Sequence, residues 1–195
     1  MVFGVEMIIL NSKNIEDGNQ EGIEELFEHF RRDFIENDTF LKKDGQYFFI
    51  NIKKNIICPC PYRNKEDKPE RFWHIISQKS DKIKDSKIKK TPCKKENRKY
   101  DKARAKRIHW IKILIDNWLE DEDIKHYYQK DSKRNRYNLL IWDRNRDFVV
   151  IIRKESNSSD RFLITSYIIH GNKKHKYKKE YEEYLENAPL GVEWF

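Results

Sequence analysis

The chain has 195 residues, of which 38% are charged and 37% hydrophobic, with a formal net charge of +8. That length suits one domain, and an aromatic share of 13% is too high for a disordered chain, because those rings need somewhere to pack. No stretch approaches the roughly 20 apolar residues of a membrane span, three cysteines form no disulfide framework, and surplus positive charge points to polyanions, unless the lysine richness is only compositional bias.

Val2 to Leu10 reads as a first strand: it is apolar but contains Glu6 and lacks the basic start of a secretory signal. Gly22 to Glu36 follows as a helix, with Ile23, Leu26, Phe27, Phe30 and Phe34 at helical spacing. Asp38 and Gly45 mark breaks, and Tyr47 to Ile52 is a strand. Cys58-Pro-Cys-Pro61 is a stiff loop. Its cysteines lack the two-residue spacing of a zinc knuckle, so a site from Cys58, Cys60, His74 and Cys93 rests on ligand type alone. Pro69 to Ser77 is a short amphipathic helix.

Residues 79–107 are about half Lys or Arg. Such a run is either a solvated loop or a phosphate-tracking arm, with Lys89, Lys90, Lys94 and Lys95 as its candidate RNA contacts. Asp101 to Glu120 has the clearest helical period, carried by Ile108, Ile111, Ile115 and Trp118. Arg104 and Arg107 fall on the same stripe; they either snorkel off the core or enter a polar pocket that holds phosphate. His109 falls on the wet side of that helix.

A short helix is expected near Ile124 to Tyr128. Then come strands at Tyr137–Trp142, Phe148–Arg153 and Phe162–Ile169, and a helix at Lys173–Glu186 with Tyr177, Tyr181, Tyr184 and Leu185 on one side. The fold class is α+β, with helices packed on one face of an antiparallel sheet. Alternation along the last strand puts Arg161, Thr165 and Tyr167 on one face with Leu163 and Ile169. Polar groups in that setting are either satisfied in the core or line a site for something anionic.

No glycine-rich phosphate loop, nucleophile elbow or HExxH is present. His74 stands among large apolar neighbours in Arg71-Phe-Trp-His-Ile-Ile-Ser77, where it is either a satisfied core histidine or a group poised near working pH. The other five histidines read as surface or helix-face residues. His74, Arg104, Arg107, Arg153, Arg161, Thr165 and Tyr167 together suit RNA cleavage by its own 2′-hydroxyl. That reaction needs a base, an acid and groups that hold a charged phosphorane, and no metal or other cofactor. Clustered acids, which a metal-dependent nuclease requires, are not indicated.

Phe72-Trp-His-Ile75, Arg104 to Trp110, Leu140-Ile-Trp142, Phe148 to Arg153 and Leu163-Ile-Thr-Ser-Tyr167, in that order, resemble small phage- and toxin-associated proteins of the barnase–EndoU–colicin–RelE-like ribonuclease superfamily. The resemblance covers roughly residues 45–185. It implies helices followed by an antiparallel sheet of about four strands, and metal-independent RNA cleavage. The site residues it implies are His74, Arg104 or Arg107, Thr165 or Ser166, and Tyr167. Shared parity with Tyr167 favours Thr165 over Ser166. Residues 1–44 would then be an N-terminal extension packed on a ribonuclease domain at 45–195, with a lysine-rich insert at about 79–100. The corresponding function is a cytoplasmic endoribonuclease toxin or phage-defence effector, with RNA and an inhibitory antitoxin protein as partners and no membrane. The alternative is a non-catalytic RNA-binding protein on the same fold.

Overall fold

A computed structural model describes residues 7–52, 68–79, 98–131, 136–154 and 160–187. The chain opens with α1 (Lys13–Asp17), whose N-cap Ser12 accepts a hydrogen bond from the Ile15 amide at 3.2 Å. Helix α2 (Gln20–Arg31) is capped in the same way by Asn19, which accepts from the Gly22 amide at 2.9 Å, and runs on into a π-helical turn at Arg32–Glu36. The apolar spacing read from the sequence is its buried stripe: Ile23, Leu26, Phe30 and Phe34 enter the main core.

A hairpin follows, β1 (Phe40–Lys43) and β2 (Gln46–Asn51), turned at Asp44 and Gly45, both with positive φ. Next come α3 (Glu70–Ile76), a two-stranded ladder of β3 (Ser77–Lys79) with β4 (Arg98–Tyr100), α4 (Lys102–Ala105) and α5 (Trp110–Asn117). Strands β5 (Ile124–Lys130), β6 (Tyr137–Asp143), β7 (Phe148–Lys154) and β8 (Arg161–Ile168) then form an antiparallel meander. Helix α6 (Asn172–Glu186) closes the described chain.

The fold is α+β, but several expectations change. Among the described residues the main sheet has six strands in the order β1-β2-β8-β7-β6-β5, not four. It is mixed rather than antiparallel, because β2 joins β8 in parallel at Ile50–Arg161 and Asn51–Phe162. The segment expected as a helix near Ile124 is strand β5. It pairs with β6 along its whole length and buries Tyr127 on one face and Ile124 on the other. The long helix expected over 101–120 is broken by turns at 106–109, although Ile108, Ile111, Ile115 and Trp118 are all buried.

Residues 7–10 form no strand. They strap the start of α5, with the Leu10 amide on the Lys106 carbonyl at 3.1 Å and Trp110 Nε1 on the Ile8 carbonyl at 2.8 Å. The expected division at residue 44 falls in the β1–β2 turn, and Ile15, Leu26 and Leu41 share one core with Leu139 and Val150.

Helices cover both faces of the sheet, not one. The first five pack over Leu139, Ile141, Val150, Ile152 and Leu163. Helix α6 lies on the other face, where Tyr177, Tyr181 and Tyr184 meet Tyr127, Leu140, Trp142, Val149 and Ile169. Leu185, expected beside those tyrosines, is exposed.

One irregularity decides the site. Ile151 pairs with Thr165 but Ile152 pairs with Leu163, so Ile164 is an extra residue on β8. A bulge of this kind shifts the alternation by one. Arg161 and Leu163 therefore face the main core, while Thr165 and Tyr167 face the α6 side. The single face expected for all of them does not exist.

Candidate active site

Along the edge of β8, β2 pairs only at Arg161 and Phe162. Beyond that point α3 and α4 pack against the strand. Helix α3 is fixed there at both ends. Arg71 Nη1 donates to the carbonyl of the bulge residue Ile164 at 2.5 Å. At the other end, Arg104 Nη1 donates to the Ser77 carbonyl at 3.1 Å, and its guanidinium lies 5.2 Å from the centre of the Tyr167 ring. His74 sits between these anchors, one turn beyond Arg71. Its Nε2 is 3.3 Å from Oε1 of Glu70, one turn back on the same helix, and both side chains are one-fifth exposed (20%).

Asp101 organises the neighbouring helix. Its carboxylate accepts from the Arg104 amide at 3.2 Å, capping α4, and pairs with Arg104 Nε at 3.1 Å. Burial pulls the Arg104 pKa below its usual value, with Asp101 and Tyr167 opposing; an arginine nonetheless stays charged throughout the working range. Two of its five N–H groups are used in these contacts, leaving donors for an anion. The Tyr167 hydroxyl is hydrogen-bonded to that of Tyr177 from α6. Burial pushes the Tyr177 phenol pKa up strongly, so this pair stays neutral on the Tyr177 side. Thr165 shares the Tyr167 face, half-buried opposite Ile151, whereas Ser166 is 1% exposed on the other face.

The structure thus brings the elements carrying His74, Arg104, Thr165 and Tyr167 together. The other expected residues are dispersed. Arg107 turns back to the Ala103 carbonyl at 2.8 Å and lies 5.0 Å from the centre of the Trp110 ring. Arg153 bonds Asn138 Oδ1 at 2.9 Å and approaches Asp131 at 3.9 Å. It stands four residues along β7 from Val149, the partner of Tyr167, which is about 13 Å at strand rise. Arg161 is on the opposite face, 4% exposed, with its guanidinium 4.1 Å from the centre of the Phe48 ring. Lys89, Lys90, Lys94 and Lys95 lie outside the described residues, as do Cys58, Cys60 and Cys93. Among the described residues, no three His, Cys, Asp or Glu side chains are placed to hold a metal ion.

Sequence reading missed the supporting set of Glu70, Arg71, Asp101 and Tyr177. Glu70 was legible as the i−4 partner of His74 on an amphipathic helix; the bulge-binding role of Arg71 depends on a register that alternation hides. It also missed a histidine pair. His109, expected on the wet side, is half-buried with its ring 5.8 Å from that of His29 on α2, and burial lowers the pKa of both.

Comparisons with protein-family models, with curated proteins and with solved structures return no match. An imidazole oriented by a carboxylate can exchange a proton, a partly desolvated guanidinium can hold an anion, and hydroxyls beside it can donate hydrogen bonds to phosphate oxygens.

Proposed function

We propose that this chain is a metal-independent endoribonuclease that cleaves RNA by attack of the 2′-hydroxyl, leaving a 2′,3′-cyclic phosphate. The observation that carries the reading is the His74–Glu70 pair on a helix fixed to β8 beside Arg104 and Tyr167. In the proposed reaction His74 takes the 2′-hydroxyl proton, or delivers one to the departing 5′ oxygen. The 2′ oxygen bonds to phosphorus as the 5′ oxygen leaves. Arg104 holds the charged phosphorane and Thr165 and Tyr167 hydrogen-bond its oxygens; Arg107, turned to the Ala103 carbonyl, is assigned no part in the step. Arg153 contacts RNA away from the scissile bond. Arg161, on the other face, is assigned no contact.

The proposal extends to a toxin or phage-defence effector of the cytoplasm, restrained by an inhibitory protein. Among the described residues no helix is long and apolar enough to cross a membrane. A second reading, a non-catalytic RNA-binding protein, is favoured by one specific observation: Glu70 and Tyr177 already engage His74 and Tyr167, as they would in a purely structural cluster. An RNA carrying a single 2′-deoxy sugar at a mapped cleavage site separates the two. The nuclease leaves that linkage intact while cutting the all-ribose strand; cutting of both strands at that linkage contradicts the mechanism.

A further inference from the structure

The β1–β2 hairpin carries apolar side chains on both faces. Leu41, Phe48 and Ile50 turn inward to the core. On the other face the register sets Phe40 opposite Phe49 and Lys42 opposite Tyr47. Tyr47 is 65% exposed and Phe49 41%. Their rings form a continuous set: Phe40 and Phe49 centres are 5.8 Å apart, Phe40 and Tyr47 6.3 Å, and the Lys42 ammonium is 5.6 Å from the centre of the Tyr47 ring. Two exposed rings, a half-buried one and a lysine on an edge hairpin contribute little to the core beneath.

The pairing of Asn51 with Phe162, of Phe162 with Arg153 and of Arg153 with Asn138 continues this face across the sheet. It is the α6 side, but the residues α6 packs on, Tyr127, Leu140, Trp142, Val149, Tyr167 and Ile169, include none from β1 or β2. The cavity of about 270 Å³ between the hairpin turn and the end of α5 has Asp44, Asp116 and Glu120 in its wall and is not part of this face.

We infer that the outer face of the β1–β2 hairpin is a stacking platform for single-stranded nucleic acid, with bases on Phe49, Phe40 and Tyr47 and phosphates near Lys42 and Arg153. The inference rests on the RNA reading above and adds where the strand lies. Interleaved rings and cations match what single strands require, since every base has a face to stack and every linkage a charge to neutralise. The chain's net charge of +8 complements such a ligand. A protein docking on an apolar face has no comparable use for the lysine set among the rings.

The test is fluorescence anisotropy with a labelled 2′-deoxypyrimidine strand of about ten nucleotides, within the usual site sizes and resistant to 2′-hydroxyl cleavage. Tyr47→Leu with Phe49→Leu keeps apolar area but removes the faces of two rings. Affinity is expected to fall at least roughly tenfold, from stacking losses per base, with an unchanged slope against salt and unchanged binding of inorganic polyphosphate. Tyr47→Trp with Phe49→Trp is expected to bind at least as tightly as wild type, which guards against mere misfolding of the leucine variant. Unchanged affinity in the leucine variant, or an equal loss toward polyphosphate, overturns the platform. So does self-association that the same substitutions abolish while strand binding persists, since the face then belongs to a second copy. Wild type that binds the strand through these rings but cuts no RNA leaves the platform standing and removes the nuclease.

Discussion

Replacing Arg104 by alanine tests both the architecture of the site and its chemistry. The side chain is 17% exposed and makes a hydrogen bond to the Ser77 carbonyl and a charged bond to Asp101, each at 3.1 Å, besides packing on Tyr167. A hydrogen bond involving a charged group contributes about 1.5–3 kcal/mol, and guanidinium stacking about 0.5–2 kcal/mol. Asp101 keeps its bond from the residue 104 amide, so its carboxylate is not stranded. A loss of about 3 kcal/mol is therefore expected, which lowers the Tm of a chain this size by roughly 6–12 °C. Single-turnover cleavage of a saturating RNA, below both melting points, is expected to slow about 10²–10³-fold, the usual cost of one lost oxyanion donor. Arg104→Lys keeps the charge but not the fork, and should fall between. A lowered Tm with an unchanged cleavage rate would show that Arg104 only braces α3 against β8, and would refute its role at the phosphate.

Burial depresses the pKa of His29, His109 and His126. Because the unfolded chain then binds protons more readily, stability is full above the ordinary histidine value of about 6.5 and is lost as pH falls from there toward the lower folded values. Denaturant melts between about pH 8 and pH 5 should show this decline, and His109→Gln should reduce it; a flat profile contradicts the burial argument. Gly22→Ala is expected to destabilise by about 1–3 kcal/mol despite alanine's better helix propensity. The added Cβ would lie 2.1 Å from the backbone oxygen of Asn14, where α1 crosses α2. A raised Tm would show that the two helices have room to part.

Much of the framework was legible from period alone. The stripe from Ile23 to Phe34, the strands β2, β6, β7 and β8, and the buried face from Ile108 to Trp118 all follow from spacing. The failures have physical causes. Strand β5 is buried on both sides, so Ile124, Tyr127 and Tyr128 show an i, i+3, i+4 spacing that imitates a helix. Turns at 106–109 leave Ile108 and Ile111 buried together, so the stripe runs through the break. The extra residue Ile164 reverses the parity of β8 without marking the sequence, and this separated Arg161 from Thr165 and Tyr167. Nothing in the tyrosine pattern of α6 says which face of the sheet it covers, and the His29–His109 approach joins residues 80 positions apart. In the candidate site, types and order were readable, and Glu70 could be read from its spacing to His74, whereas the partners Arg71, Asp101 and Tyr177 required the fold.

The most direct test is incubation of total RNA with purified protein in excess EDTA, beside His74→Ala. Discrete fragments ending in 2′,3′-cyclic phosphate are expected from the wild type and are expected to be lost in the variant. Equal cutting by both proteins, or no cutting by the wild type at any protein concentration, contradicts the proposed function.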